Sequence, residues 1–600
     1  MLLFRTPQGL PSTVEPQADR ATSSFPGQPL QQRRRPSVEP DPYQAPACEP
    51  EGRAAVGKEP EELTDVLIVG GGITGLSCAL FLRHHGVRAV LVERHASTSI
   101  HPRAWGWYPR TLEAFRSAGA EEAVLEAAAG YAGHRRQATV ESLRGKELKA
   151  VMLPEPGDLS SLTPSRQISL GQDRMEPLVR EAADRAGADL RFGTELVSFD
   201  RPEGPGGPVV ATLKDRATDE VRQLRARWLV AADGARSPVR EALGIGRTGR
   251  GTLQHQVSIL FRADLEGPLD GRRFSICQIE NEELSGAVLG HDDTLGRGTL
   301  ILQYHPEEGA TPDDFTTEES VRLVRSAIGD PTADVEIIGV LPWELAALSA
   351  ERFRDGSAFL IGDSAHVIPP IGGYGANTGV HDAHNLAWKL AAVLRGEAGE
   401  GLLDTYDAER RPVAEATIAQ AQLRLMVRSG RATEEQRKAT VEVLAVMLGH
   451  SYPSVAPEAG LPQFREPEKL SGEPGTRAPH VPVLLRGGGE GGEDRNGSVL
   501  DVYGSSFVLL IGSDGTDWRA AAAEASERTG VRLVTAGFGT ELEDLSERGW
   551  YERYAVTADG AVLVRPDGFV AWRSSGAPER AQDRAQAVAQ ALATAVVRAG

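Results

Sequence analysis

Between Asp65 and His95 the chain reads DVLIVGGGITGLSCALFLRHHGVRAVLVERH, and no other stretch constrains the fold as much. An apolar run meets a glycine turn, then a segment with apolar residues at helical spacing, then a second apolar run, which is the pattern of strand, turn, helix and strand. Gly70, Gly72 and Gly75 form G-x-G-x-x-G at the strand-to-helix turn. The first glycine permits the tight turn, the second lets the backbone approach a pyrophosphate, and the third lets helix pack on strand. The helix N-terminus that Ile73 and Thr74 open attracts the phosphate charge. Glu93 lies 21 positions after Gly72, at the end of the second strand and just before Arg94, where it can accept hydrogen bonds from an adenosine ribose. These residues predict a Rossmann-like α/β unit around a dinucleotide. A second G-x-G-x-x-G, at Gly487, Gly489 and Gly492, is followed by EDRNGS, which cannot open an amphipathic helix and so reads as a loop.

Six hundred residues exceed what one core supports, so two or three domains are expected. The net charge of −19 disfavours nucleic acid and anionic membrane surfaces as partners. The compact basic run Arg33 to Arg35 sits in a Pro-rich leader, residues 1 to 60, whose composition predicts disorder. With no apolar run long enough to span a bilayer and no secretory leader, a cytoplasmic location is expected. Cys48, Cys78 and Cys277 form neither CxxC nor a metal-ligand spacing, so neither a metal site nor dithiol chemistry is expected.

Two later stretches, RWLVAADGARSPVREALGI and SAFLIGDSAHVIPPIGGYGANTGVHDAHNLAWKLAAVL, repeat the motif of a buried strand entering a turn and a helix. Between them, residues 250–345 alternate strand-like pieces such as VSILFRADL and GTLILQYH with polar loops, which predicts a mostly antiparallel domain. Residues 400–450 read as helical, and the Gly-rich stretch near 465–497 leads to a last segment with strands and helices of its own.

With ADGARSPVR and LIGDSAHVIPPIGGYGANTG in this order after the glycine turn, residues 63 to 410 resemble the group A flavoprotein monooxygenases, the para-hydroxybenzoate hydroxylase-like aromatic hydroxylases. The resemblance implies FAD as cofactor, with Asp363 at its ribityl and ribose hydroxyls. It also implies that the segment Pro370, Gly373, Gly375, Ala376 and Asn377 presents a helix N-terminus to the flavin's pyrimidine edge, where a helix dipole stabilises the anionic reduced flavin. Asp233 belongs to the Asp-Gly motif associated with both FAD and NAD(P)H. Gln172 matches a glutamine that contacts the FAD, although a helix-capping role fits the same position. For His366 a structural role is favoured over that of a general base. The expected domains are a FAD-binding part at 61–249 and 346–470, an inserted β substrate domain at 250–345, and a C-terminal part at 471–600. The last resembles the thioredoxin-like domain of phenol and polyketide hydroxylases. Lacking CxxC, it is left with packing or homo-oligomer contact, and its removal is expected to leave the flavin chemistry recognisable.

The stretch PRAWGWYPR, residues 102–110, pits two readings against each other. Two tryptophans suggest the W-x-W-x-I-P signature of flavin halogenases, but Tyr108-Pro109 follows Trp107 one residue short. HPRAWGWYPRTLEAF instead matches the hydroxylases' H-P-R-A-x-G-x-x-x-R-T-x-E, which makes Arg103 the arginine beside the FAD pyrophosphate or flavin. The tryptophans then either wall the flavin or simply pack. The implied activity is hydroxylation of an aromatic substrate, phenolic or polyketide-type, with NADPH or NADH as reductant and O2 activated at flavin C4a. Epoxidation, Baeyer-Villiger insertion, antibiotic inactivation and a non-catalytic flavin-binding role are the alternatives.

Overall fold

The computed structural model describes residues 62–153, 157–452, 454, 462–487 and 493–596. The leader expectation for 1–60, and Gly489 and Gly492 of the second glycine pattern, lie outside the described residues.

Five parallel strands make the middle of an eight-stranded central sheet, in the spatial order Asp189–Phe192, Ala89–Glu93, Glu62–Val69, Val221–Ala231, Ala358–Leu360, and Arg354–Asp355, Val209–Asp215 and Thr194–Asp200 add to it antiparallel. Both faces are covered at its centre, so Val66 to Val69 and Ala89 to Val92 run apolar rather than alternating; Val66, Leu67, Ile68 and Leu91 are all buried. The helix Ile73–His84 packs against two others, Gln172–Arg185 and Tyr374–Leu394. These three helix N-termini and the C-terminal ends of the central strands define one edge of the layer, where ligands of open α/β sheets bind.

The second sheet has eight strands and is almost wholly antiparallel. Its order is His366–Val367, Glu336–Ala350, Arg247–Arg262, Arg297–Tyr304, Ser285–His291, Phe274–Glu280, Arg136–Val140, Glu147–Met152. Its alternation is clean. Val257, Ile259, Phe261, Leu289, Leu300 and Leu302 point to one face, where the helix Thr317–Ile328 covers them with Leu323, Val324 and Ala327. Residues at the intervening positions point to the other face.

The C-terminal sheet runs Leu533–Gly537, Phe507–Ile511, Ala561–Val564, Val570–Ser574, with the first pair parallel and the others antiparallel. With the helices Asp517–Thr529 and Ala581–Ala595 it has the thioredoxin order. It is not a separable appendage. Leu509, Ile511, Leu563 and Trp518 join the same continuous apolar core as Val66 and Leu91, and Phe507 stands edge-on to Trp388 at 5.7 Å. This packing bears on the expectation that removing this part leaves the flavin chemistry recognisable, because deletion would expose apolar residues of the FAD-binding part.

Candidate functional site

At the glycine turn, Gly70 has φ +109°, and a Cβ there would meet the Ala232 carbonyl oxygen at 2.3 Å. A Cβ on Gly75 would lie 2.0 Å from the Gly70 oxygen, so this glycine lets the helix seat on the strand. Gly72 differs: nothing comes closer to its added Cβ than Glu176 Oε1 at 3.7 Å. The protein itself leaves that position open, and the helix it caps has no side-chain N-cap. This is the geometry that admits a phosphate to helix N–H groups.

Glu93 ends its strand beside this turn. Its carboxylate accepts the Gly71 N–H at 2.6 Å and the His95 N–H at 2.8 Å, which fixes its orientation. Arg94 points to solvent. Gln172 is buried at the first turn of its helix and donates through Nε2 to Glu176 Oε1 at 2.7 Å. Glu176 also accepts the Ile73 N–H at 3.0 Å and the Ser99 N–H at 2.9 Å, so it ties the glycine helix, the Gln172 helix and the segment before Arg103 together. The sequence reading missed it. Its position four residues after Gln172, on the same helical face, is the signal that could have found it.

Asp363 follows the strand Ala358–Leu360 in a short turn held from behind. Asp382 accepts the Gly362 N–H at 3.0 Å, bonds His366 Nε2 at 2.6 Å and pairs with Arg410 at 2.8 Å. His366 is thus a structural member of the turn, as expected, and Asp382 is a supporting residue that no local motif marked. Asp363 itself is reached by solvent yet crowded by protein, as a carboxylate lining a cleft would be; burial raises its pKa against the opposing pull of His366 and Arg103. Burial also raises Glu176, whose bonds from Gln172 and Ser99 and the charge of Arg103 oppose it. The charge of Arg103 thus acts on both Glu176 and Asp363. Asp233 accepts the Val239 N–H at 3.0 Å through Oδ2, while its buried Oδ1 has no hydrogen-bond partner among the described residues and burial raises its pKa.

The helix Tyr374–Leu394 starts from Gly373 at φ +67° with no side-chain cap, and Gly373 N–H donates to Pro370 O at 3.0 Å. Gly375 and Ala376 lie in its first turn. Asn377 is fully buried and its side chain is engaged by protein: Nδ2 donates to Gly106 O and Gly373 O, while Oδ1 accepts from Tyr108 N–H and Thr111 Oγ1. It fastens PRAWGWYPR to the helix N-terminus, and backbone N–H groups are what this turn offers a ligand.

PRAWGWYPR forms one limb of a two-stranded finger in which Gly106–Trp107 pairs with Ile168–Ser169. Trp107 is fully buried and donates from Nε1 to Leu170 O at 2.8 Å, so it packs rather than walls a ligand. Trp105 and His101 instead lie on the face of the antiparallel sheet opposite the helix Thr317–Ile328, where two glycines make room. A Cβ on Gly290 would stand 3.6 Å from Trp105, and one on Gly339 would stand 3.5 Å from His101. Beside this crossing the same face presents Leu341, Ser258, Ile301, Val288 and Gln278 in one cross-strand row, and Trp343, Gln256 and Gln303 in the next. Trp343 Nε1 donates to Ser258 Oγ at 2.9 Å. Among the described residues, Leu341, Ile301, Val288 and Trp343 join no apolar cluster.

An open phosphate turn, a cleft carboxylate at Asp363, an uncapped long helix and an arginine between them fit FAD. The family comparison agrees: an FAD binding domain family matches residues 63–421, and the C-terminal domain family of aromatic-ring hydroxylases matches residues 471–597. The chain belongs to the FAD-dependent aromatic-ring hydroxylases. It is 42% identical over 555 residues to a tetracenomycin A2 monooxygenase-dioxygenase of Streptomyces glaucescens, covering 87% of this chain and 95% of that one. It is 41% identical over 536 residues to a 4-methyl-5-nitrocatechol 5-monooxygenase of a Burkholderia species, covering 87% and 96%. The solved structure of an aklavinone-11 hydroxylase in ternary complex with FAD and aklavinone superposes with a TM-score of 0.79 at 38% identity, over 90% of this chain and all of that one. As a member of this family the protein is an FAD-dependent aromatic monooxygenase. No helix among its described residues is long and apolar enough to cross a membrane.

Proposed function

We propose that this hydroxylase acts on a flat, polycyclic phenol of the aromatic polyketide type, with NADPH as reductant and O2 as oxygen source. The observation that carries the reading is the face of the antiparallel sheet opposite the helix Thr317–Ile328, where Trp343, Leu341, Ile301 and Val288 are half-buried. Trp343, Leu341, Ile301 and Val288 make a broad apolar floor, and Gln256 and Ser258 set hydrogen-bonding groups among them, the composition of a site for a large planar molecule with few polar substituents. Similarity to hydroxylases named for tetracenomycin and aklavinone supports the same class.

In this reading Gly70, Gly72, Gly75, Ile73 and Thr74 receive the FAD pyrophosphate, Glu93 orients the adenosine ribose, and Asp363 takes the ribityl hydroxyls with Gln172 and Arg103 close by. The helix turn Gly373 to Asn377 offers N–H groups to the flavin's anionic edge. Bound FAD supplies two-electron redox chemistry and the activation of O2. The protein's own part is to hold the ring of the substrate in one orientation, keep water away and supply fixed donors. Arg236 and Arg247 flank Ala235 in the Asp-Gly segment; Arg247 donates to the Ala235 carbonyl at 3.0 Å, and neither has a carboxylate partner among the described residues. Two such cations suit the phosphate groups of NADPH.

Purified enzyme with NADPH and a panel of tricyclic and tetracyclic phenols tests the reading. One panel member should stimulate NADPH oxidation and gain oxygen from 18O2, and Trp343→Ala should raise its KM about tenfold. Stimulation by single-ring phenols alone would overturn the substrate class, and equal kcat/KM with NADH would overturn the choice of NADPH.

A further inference from the structure

Arg477 has no part in the site described above, yet it is one of the most deeply buried cations in the protein, 2% exposed. It stands at the start of the C-terminal domain and reaches two segments of the FAD-binding region at once. Its Nε donates to Glu113 Oε2 at 2.9 Å and its Nη2 donates to Glu113 Oε1. The same Nη2 donates to the Leu162 carbonyl at 3.1 Å. Glu113 lies on the helix Pro109–Ser117, which continues directly from Trp107, and Leu162 lies on the strand of chain that leads into Ile168–Ser169. These are the two limbs of the finger.

Past the point where Arg477 grips them, the limbs are joined to each other by Leu170 N–H to Trp105 O at 2.9 Å and Gln172 N–H to Ala104 O at 2.8 Å. The finger's tip therefore carries Arg103, Trp105 and Gln172. A second fastening from the same domain acts on the same limb: Arg110 donates to the Asp567 carbonyl and, at 3.1 Å, to Glu113 Oε2. Next to Arg110, Thr111 donates to Asn377 Oδ1 at 2.6 Å. Bidentate guanidinium bonds are stiff and directional, so an arginine that holds both limbs of a two-stranded element sets the angle at which the element projects.

We propose that Arg477 is a positioning residue through which the C-terminal domain fixes where Arg103 and Trp105 stand beside the flavin. A thioredoxin-like domain without cysteines then has a definite task in this enzyme, that of a clamp on the cofactor loop. The proposal rests on the flavin-site reading given above.

The test uses the FAD-loaded enzyme. Arg477→Met paired with Glu113→Gln removes the guanidinium fork and its carboxylate together, and Arg110 keeps the Asp567 carbonyl and an amide oxygen as hydrogen-bond acceptors in place of that carboxylate. The expected result is a folded, yellow variant whose FAD dissociation constant rises about fivefold and whose bound-flavin visible spectrum and midpoint potential shift. Arg103→Ala should shift the potential in the same direction, and adding it to the pair should give no further shift, because the two act through one loop. Arg477→Lys keeps the charge but not the fork, and should fall between. As a control, Val588→Ala on the far helix Ala581–Ala595 should lower Tm and leave spectrum and potential as in the wild type. A paired variant that loses Tm but keeps the wild-type spectrum, potential and FAD affinity, or whose shift adds in full to that of Arg103→Ala, overturns the proposal. Wild-type enzyme that cannot be loaded with FAD would instead overturn the flavin-site reading beneath it.

Discussion

Two groups of carboxylates are treated in opposite ways. At the clasp between the C-terminal domain and the FAD-binding region, Glu409 takes Lys389 and Arg565, Glu113 takes Arg477 and Arg110, and Asp567 takes Arg565. Burial alone would raise all three, and the facing cations override it, holding Glu113 at about 2, Glu409 well below the usual carboxylate range and Asp567 below its ordinary value. In the cleft, Glu176, Asp233 and Asp363 lie on the other side of the balance, with burial raising each of them. A buried charge is tolerated when its partners are present and costly when they are not. The clasp is complete as the chain folds, whereas the cleft is built for a partner that the chain does not encode.

The sharpest break of that contrast is Glu409→Ala. It strands Lys389 in the interior and leaves Arg565 with Asp567 alone, which should cost about 3–5 kcal/mol, so that urea denaturation of any soluble product shows loss of the cooperative transition. A wild-type midpoint would mean that the clasp is not a closed unit. Gly72→Val comes next. Because the position is open in the protein, the variant should fold with a near-normal Tm, yet bind FAD at least about 100-fold more weakly, since the side chain fills the phosphate's space. Gly75→Val, by contrast, should fail to fold, since its Cβ would meet the Gly70 oxygen.

Acid should separate the two groups. The folded value of Glu113 lies below its unfolded value of 4.5, so its stabilisation is complete above about 4.5 and is lost as pH falls toward about 2. His384, held neutral by burial down to about 3, works the same way higher up: only the unfolded chain takes the proton below about 6.5, so stability drops from there. The cleft acids run oppositely, since their raised folded values make ionisation with rising pH a cost. Asp363→Asn should therefore leave the apoprotein at pH 7 no less stable in a thermal melt, while lowering FAD affinity about tenfold; a clear loss of apoprotein stability would place Asp363 with the clasp. The smallest effect is expected of Trp107→Phe, which loses one buried hydrogen bond worth about 1 kcal/mol. It should keep turnover and give no halogenated product in chloride or bromide.

The parts of this picture legible in the sequence are those written in neighbouring residues. Gly70 to Gly75 with Glu93 specify a turn and its ligand within one βαβ unit, and Asp363 announces itself in the Gly-Asp turn. Asp382 and Arg477 escaped because each acts on a segment distant in the chain, and an acid or arginine inside a helix or loop carries no local mark of such a partner; Glu176 left only its spacing from Gln172 as a mark. Asn377 was placed at the right helix end, but its side chain is engaged by Gly106, Tyr108 and Thr111, a pairing that only the folded chain creates. The strand Glu147–Met152 showed no alternation to find, since it is an exposed sheet edge.

The shared core has a temporal side. Val66 and Leu592 belong to one apolar cluster, so its first member leaves the ribosome long before its last. At roughly 5–20 residues per second the early strands wait about 25–100 s with an uncovered apolar face. That interval is far longer than hydrophobic collapse, which takes about 0.1 ms or less. The nascent chain must therefore be sheltered or slowed in its encounters with its own kind, and lower temperature or added chaperone during synthesis should raise the yield of native enzyme more than any change made after release.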